Sequence, residues 1–381
     1  MTRSCSGGAL SETGIQAQLD TPALYGARLA VQHLNETGGL LGKEVEFINY
    51  DGKSDPSVVG NNGHRLVAQG ADFLILPADY NMGGPGSRAA QEGGIAGMSA
   101  GGSSPLYGSI TVGDMQFTMS MWNTTMGSIA AEFAYEKQGW DTAYVVTDTF
   151  IDYTKSLSEY FIKHFEDLGG TVVAEDKYTQ GAQDFSAQLS RLKKAVEENN
   201  IDVLFISSYM PDLGTIIRAI NQAGIDLPIL GGDSYASQSL FKALGEKYGN
   251  DVYWAGHSYI EPGVTDDMEE FINLYKEKYG EPPRTAFAAT GWDSVMVLAD
   301  AAKIAGTTDG KAVAEALTNN EFQLLSGPTS SWSSADTGHE PIKPGAMVQL
   351  QNGETSFLGW WTPENVPTPP YVKEYIERQE P

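Results

Sequence analysis

The sequence predicts an α/β protein made of two doubly wound, parallel-sheet lobes. Two observations carry this. Short apolar runs that alternate as strands do are separated by stretches whose apolar residues recur at helical spacing. That strand–helix unit runs through the chain twice, with a break of small residues from Ser99 to Ser104 between the two runs. At 381 residues the chain is long enough for two cores.

In chain order, Leu24, Ala27, Val31 and Leu34 share one helical face from Pro22 onward, and Thr37-Gly38-Gly39 ends the helix. Val45 and Phe47 mark a strand over 44–50. The unit repeats as a helix over 57–68, a strand over 72–76, a Gly-rich turn at Gly83-Gly84-Pro85-Gly86, a helix over 87–92 and a strand over 95–98. Residues 107–113 read as a loop or edge strand. The second run has helices over 125–137, 154–168, 185–198 and 213–223, and strands over 142–147, 171–174, 202–206 and 228–230. Helical crossovers between such strands imply a parallel sheet. A strand over 253–255 is then followed by consecutive helices over 266–279, 286–305 and 311–317, which suits a chain that has returned to cover the first lobe. Asn352-Gly353 between apolar runs predicts a β-hairpin over 345–361, and the proline-rich stretch 363–370 a surface loop.

Composition excludes several classes. With 49 acidic against 24 basic residues the net charge is −25, which leaves no basic stripe for nucleic acid or anionic lipid. No apolar run is long enough to span a membrane. The single cysteine, Cys5, rules out an intrachain disulfide and a cysteine-based zinc site. Met-Thr-Arg-Ser-Cys has no hydrophobic signal region, so a targeting segment is absent or removed, and Cys5 reads as a plain thiol in a frayed terminus or as the remnant of a lipid anchor. We assign no phosphate loop, no nucleophile elbow and no paired-histidine metal site; His64, His164 and His339 read as solvated, and His257 as the histidine to watch. No cofactor or metal is expected, and nothing demands an enzyme.

Polar and aromatic groups remain at successive strand ends, where a doubly wound sheet presents its ligand groups. They are Asp79-Tyr80-Asn81 after the strand ending at Leu76, Ser103 and Ser104 after Met98, Asp148 and Tyr153 after Thr147, Tyr209 after Ile206, and Asp233 after Leu230. The amides leading from Gly83 and Gly84 into the next helix could hold an anion. Asp233, in Leu-Pro-Ile-Leu-Gly-Gly-Asp-Ser-Tyr, is either a ligand carboxylate that needs a cationic partner or the cap of a helix starting near Ala236; spacing alone favours the cap.

The order of elements, together with Leu34-Asn35-Glu36-Thr37-Gly38-Gly39-Leu40-Leu41-Gly42, Tyr50-Asp51-Gly52, Asp55-Pro56, Gln183-Asp184-Phe185-Ser186, Ala223-Gly224-Ile225 and Gly231-Gly232-Asp233, resembles the type I periplasmic solute-binding proteins. The leucine/isoleucine/valine-binding family that serves ABC importers is the group it resembles most. The resemblance implies two lobes joined by three hinge crossovers and closing on a ligand: residues 1–121 with 256–326, residues 122–255 with 327–362, and a tail over 363–381. It implies that Tyr80 or Asn81 and Ser103 receive a ligand carboxylate. Asp233, helped by the Gly102 carbonyl, would receive the ammonium, and Tyr25, Tyr153 and Tyr209 would close over the ligand. Asp233 thereby becomes a ligand contact.

Three departures qualify the carry-over. The first loop, 15–24, is longer than the family form; Asp79 would repel a ligand carboxylate; and Trp122 either shrinks the pocket or is a core residue. The function implied is an extracytoplasmic, periplasmic binding protein, a monomer, free or lipid-anchored, that delivers a small amine-bearing ligand to a membrane permease. The ligand is an amino acid in the simplest form. Alternatives are a purely cationic amine held in an acidic, aromatic cage of Asp79, Asp148, Asp233, Tyr235 and their aromatic neighbours, an aromatic acid, or a sensor domain of the same fold.

Overall fold

A computed structural model of the chain describes residues 4–182 and 184–379, so Gln183 of the family-like stretch lies outside the described residues. The chain divides into two compact units: Met1–Trp122, His257–Pro344 and Thr368–Pro381 form the first, and Asn123–Gly256 with Gly345–Pro367 the second.

The first unit opens with β1 (Ser4–Gly8), α1 (Ala17–Glu36), β2 (Val45–Asn49), α2 (Pro56–Ala68), β3 (Phe73–Leu76), α3 (Tyr80–Glu92), β4 (Ala96–Ser99), α4 (Ser109–Val112) and β5 (Gln116–Thr118). Its sheet has the order β2-β1-β3-β4-β5, and every pairing is parallel. Alternation along β3 fixes the two faces. Leu74 and Leu76 pack with Val59 and Leu66 of α2 and Ala90 of α3, while Phe73 and Ile75 face Leu34 of α1 and Val295 and Leu298. Each fully buried Leu or Ile contributes about 1.5–3 kcal/mol.

The second unit contains α5 (Asn123–Glu132), which runs into a π-helical turn over Phe133–Lys137, then β6 (Thr142–Asp148), α6 (Asp152–Asp167), β7 (Thr171–Tyr178), α7 (Ser186–Glu198), β8 (Val203–Ser207), α8 (Asp212–Gln222), β9 (Ile229–Gly231), α9 (Gln238–Tyr248) and β10 (Val252–Gly256). The chain returns to the first unit as α10 (Met268–Tyr279), α11 (Ala286–Ala305), α12 (Gly310–Asn319) and the small strands β11 (Phe322–Gln323), β12 (Thr329–Trp332) and β13 (Pro341–Ile342). It completes the second with β14 (Gly345–Gln351) and β15 (Glu354–Trp361), and ends in the first as α13 (Pro370–Gln379). The second sheet has the order β15-β14-β10-β9-β8-β6-β7. Its strands are parallel apart from the hairpin β14–β15, whose Asn352 and Gly353 both have positive φ, 52° and 77°, as a type I′ turn requires.

Several expectations change. Gly83-Gly84-Pro85-Gly86 is not a turn but the middle of α3, where the lack of a side chain lets the helix lie close on β3 and α2: a Cβ on Gly86 would meet Leu76 at 2.5 Å and Val59 at 3.0 Å. Residues 15–24, expected as a long loop, contain the first turns of α1. The short α4 takes the place of the loop or edge strand expected over 107–113, and the edge strand β5 follows it. The proline-rich stretch leads into α13, where Val372 is buried and Tyr371 hydrogen-bonds the Pro105 carbonyl. Residues 327–344, placed with the second lobe from the sequence, belong to the first unit: Trp332 donates its Nε1 to the Thr118 carbonyl at 3.0 Å, and His339 stacks on Phe117 at 4.2 Å. Cys5 is not frayed. It lies inside β1, with its amide donating to Asp72 at 2.9 Å.

Candidate functional site

Parallel strands end on one side of their sheet, so each unit presents a rim of strand ends. In the first unit that rim is held together by Asp20 on α1, which is fully buried. One of its oxygens accepts from the Ser11 amide at 2.8 Å, and the other from the Ala78 amide at 2.8 Å and Gln16 Nε2 at 3.1 Å. Burial pushes its carboxyl up to about 6, against the lowering effect of those donors. Asp79 caps α3 by accepting from the Met82 amide at 3.0 Å, so the helix start expected to hold an anion already has a carboxylate on it. Tyr80 leans along α3 over Gly84, and its hydroxyl accepts from Arg88 at 3.1 Å. Asn81 sits beside it, half-buried in the first turn of α3.

Past β4 the rim is a hydroxyl network. Ser99 donates to the Pro77 carbonyl at 2.7 Å and accepts from the Gly102 amide at 2.9 Å. The Gly102 carbonyl accepts from Thr118 Oγ1 at 2.9 Å, which leaves it one lone pair. Ser103, 2 % exposed, has its hydroxyl 2.8 Å from that of Ser120, and Ser120 lies 3.3 Å from a ring nitrogen of His257.

The rim of the second unit is phenolic and acidic. Tyr153, in the first turn of α6, donates to Ser234 Oγ at 3.2 Å and accepts from the Ser234 amide at 3.2 Å. Its hydroxyl is held well above the usual phenol range, by burial first and then by the Asp233 carboxylate beside it. Tyr209 meets the Tyr153 ring edge-on at 6.4 Å. Asp233 opens a single 3-10 turn over Asp233–Tyr235 and is buried, and α9 begins only at Gln238 with no side chain capping it. The helix-cap reading of Asp233 is thereby removed. Asp148, also buried, accepts from the Phe150 and Gln180 amides, both at 2.9 Å, and its other oxygen has no hydrogen-bond partner. Burial pushes it up to about 6, with Asp212 adding to the rise. Asp212 itself holds the Gly181 and Ala182 amides at 2.7 and 3.0 Å.

The structure thus gathers Tyr80, Asn81, Gly102 and Ser103 on one rim, and Tyr153, Tyr209 and Asp233 on the other. Two expected ligand contacts lie elsewhere. Tyr25, in the middle of α1, stacks on Tyr279 of α10 at 4.7 Å, which fixes its ring against a neighbouring helix. Trp122 is fully buried in the first unit, with its Nε1 donating to the Tyr107 carbonyl at 3.2 Å and its ring against Gly108 and Gly338. This is the core position. Tyr235, proposed for the cationic cage, is likewise fully buried, with its hydroxyl on the Ile206 carbonyl at 2.8 Å.

Sequence reading also passed over two features. Gly97-Met98-Ser99-Ala100-Gly101 has the spacing of a nucleophile elbow, but Ser99 is fully buried and its hydrogen-bond partners are backbone groups and the Tyr107 phenol, with no imidazole to activate it. His164 and His339, expected as solvated, are buried: His164 against Glu132 at 3.2 Å and His339 on Phe117. Among the described residues no group of three or more His, Cys, Asp or Glu has metal-holding geometry, and no helix is long and apolar enough to cross a membrane.

Comparison with known proteins agrees with this architecture. A Leu/Ile/Val-binding protein homolog from Brucella abortus (strain 2308) is 25 % identical over 347 residues, covering 88 % of this chain and 87 % of its own. The leucine-binding protein LivK of Thermotoga maritima MSB8 superposes with a TM-score of 0.84 at 26 % identity, over 95 % of this chain and 99 % of that one. The branched-chain amino acid transporter substrate-binding protein LivJ of Streptococcus pneumoniae, solved with isoleucine, gives 0.84 at 24 % identity over 95 % of this chain and all of that one. The model of the family described as periplasmic binding protein matches residues 7–355, nearly the whole of both sheets, and the chain belongs to that family.

Proposed function

We propose that the chain is the extracytoplasmic solute-binding component of an ABC importer, and that its ligand is a small α-amino acid. The observation that carries the choice of ligand class is Asp233. It is a buried carboxylate after a strand end, beside the phenol of Tyr153, whose ring in turn meets Tyr209, and it does not cap α9. A ligand ammonium suits such a group, because a neighbouring phenol can donate a hydrogen bond to the carboxylate but brings no positive charge to balance it. Asp233 takes the ligand ammonium, and Ser103 with Asn81 takes the carboxylate. Names of relatives that bind leucine, isoleucine and valine support the amino-acid class. On this reading the ligand is released unchanged to a membrane permease, and the chain acts as a monomer without cofactor.

A second reading, a purely cationic amine, draws on Asp148 and Asp212, which lie buried on the same rim as Asp233. A thermal-shift screen against the twenty L-amino acids, putrescine, choline and benzoate separates the two, because a ligand that binds the native state raises Tm. A rise with one or a few amino acids that vanishes in Asp233→Ala is the expected result. A rise with the amines alone selects the cationic reading, and a rise with benzoate alone overturns both.

A further inference from the structure

A cavity of about 260 Å³ lies in the first unit, lined by α1, α10, α11 and the stretch around β11, and no strand-end residue of either rim is part of it. Its apolar wall is made of Phe271, Leu324 and Leu325, which are buried, and of Trp292 and Met296, which are half-buried. The Trp292 ring is held by two neighbours, edge-on to Phe271 at 5.5 Å and tilted on His33 at 5.2 Å. Its size is just under the roughly 300–1,000 Å³ of pockets for drug-sized ligands, so it suits one ring with a short arm.

Among the described residues that line it, four are carboxylates, none is a lysine or arginine, and His33 is the one basic group. Two of the carboxylates are employed: Asp293 accepts from the Leu325 and Ser326 amides, both at 2.8 Å, and Asp300 meets Lys303 at 3.0 Å. Two are not. Asp267 stands at the N-cap position of α10 without a side-chain cap bond, and neither it nor Glu270 pairs with a cation among the described residues. The positive end of α10 accounts for acids in its first turn. It does not account for an open recess with an aromatic wall beside them.

We propose that this cavity binds a small organic ammonium ion, its apolar body against Trp292 and its charge toward Asp267 and Glu270. Such an occupant covers the apolar wall and gains a cation–π contact with the indole, while the two carboxylates receive the charge they lack. An organic anion is repelled there, and a bare metal ion finds neither three ligating side chains nor any use for the aromatic wall. The site stands apart from the strand-end reading, since it needs neither Asp233 nor Ser103 and holds whatever the strand ends bind.

The probe is 2-phenylethylamine, with 3-phenylpropionate as the counterpart that carries the opposite charge on the same ring and spacer. Each is titrated into protein whose seven tryptophans are ¹⁵N-labelled, and Trp292→Phe identifies the Trp292 indole signal. The amine is expected to move that signal with a Kd of about 1 mM, as befits a fragment of this size, and the acid to leave it in place. Asp267→Asn combined with Glu270→Gln should weaken the amine about three- to tenfold. Both residues are exposed, so the change removes charge without touching the core. Asp233→Ala should leave the affinity within about twofold. No movement up to about 20 mM amine, an equal response to the acid, or undiminished affinity in the double variant overturns the proposal. So does loss of the response in Asp233→Ala, which moves the amine to the strand ends. In the thermal-shift screen, a Tm rise with an amine that persists in Asp233→Ala reports this cavity, so failure of the amino-acid reading and failure of this one stay separate.

Discussion

The two rims solve one problem with opposite chemistry. Both carry buried aspartates, and in the first unit these hold backbone amides: Asp20 of α1 clamps the Ser11 and Ala78 amides, and Asp79 caps α3. What that rim adds to them is a network of buried hydroxyls. In the second unit Asp148 and Asp212 do similar local work, holding backbone amides of the loop after β7. Asp233 differs in its setting: it does not cap α9, and it lies beside the Tyr153 phenol. Whether a rim carboxylate faces an amide, a helix start or a phenol therefore says more than its position in the chain.

That contrast can be broken experimentally. The largest effect is expected from Asp233→Ala, which should weaken an amino-acid ligand by about 2–5 kcal/mol, thirtyfold or more, because it strands a buried ammonium. Isothermal titration reads it directly, and a loss below threefold would put Asp233 back among the structural aspartates. Ser103→Ala, on the rim of the first unit, removes one neutral donor to a charged group, and about 1.5–3 kcal/mol is expected. Trp122→Phe sharpens the boundary between site and core. It loses the indole hydrogen bond and part of the ring, so stability should fall by about 1–2 kcal/mol in denaturant titration while ligand affinity stays within about twofold.

The smallest effect concerns pH. The folded state raises Asp148 from 3.8 to about 6, so its proton is bound more tightly in the folded chain. The stability this brings is fully present below about 4 and lost as pH rises through about 6. Asp148→Asn keeps an acceptor for the Phe150 and Gln180 amides and removes the charge. Its Tm should exceed that of wild type by a few degrees at pH 7–8 and converge with it near pH 4; a constant offset across that range would show that the carboxylate is not the source.

Much of the fold was legible because the unbroken apolar run 73–76 marks a strand buried on both faces and the helical spacing in 24–34 marks a helix buried on one. The strand ends followed, and with them Ser103, Tyr153, Tyr209 and Asp233. What could not be read was long-range. Nothing local distinguishes Tyr25 stacked on Tyr279, 254 positions away, from a tyrosine over a ligand. Short β5 shows one strong apolar residue, Phe117, and its place is secured by Trp332 and His339 from far along the chain. Glycines in α3 look like a turn until the helix against which they pack is known. Ser120 and His257, 137 positions apart, have no shared signal in the sequence at all.

The interleaving of the two units also sets a timetable. Gly26 of α1 packs so tightly on α11 that a Cβ there would fall 1.9 Å from the Ala288 carbonyl, so the first core is incomplete until α11 has been made. The second sheet lacks β14 and β15 until residue 361. At roughly 5–20 residues per second of synthesis, the growing polypeptide spends on the order of ten seconds or more with neither core finished. A nascent chain of this architecture stays open to chaperones and to threading through a narrow channel for most of its synthesis, and a truncated one leaves no working half behind.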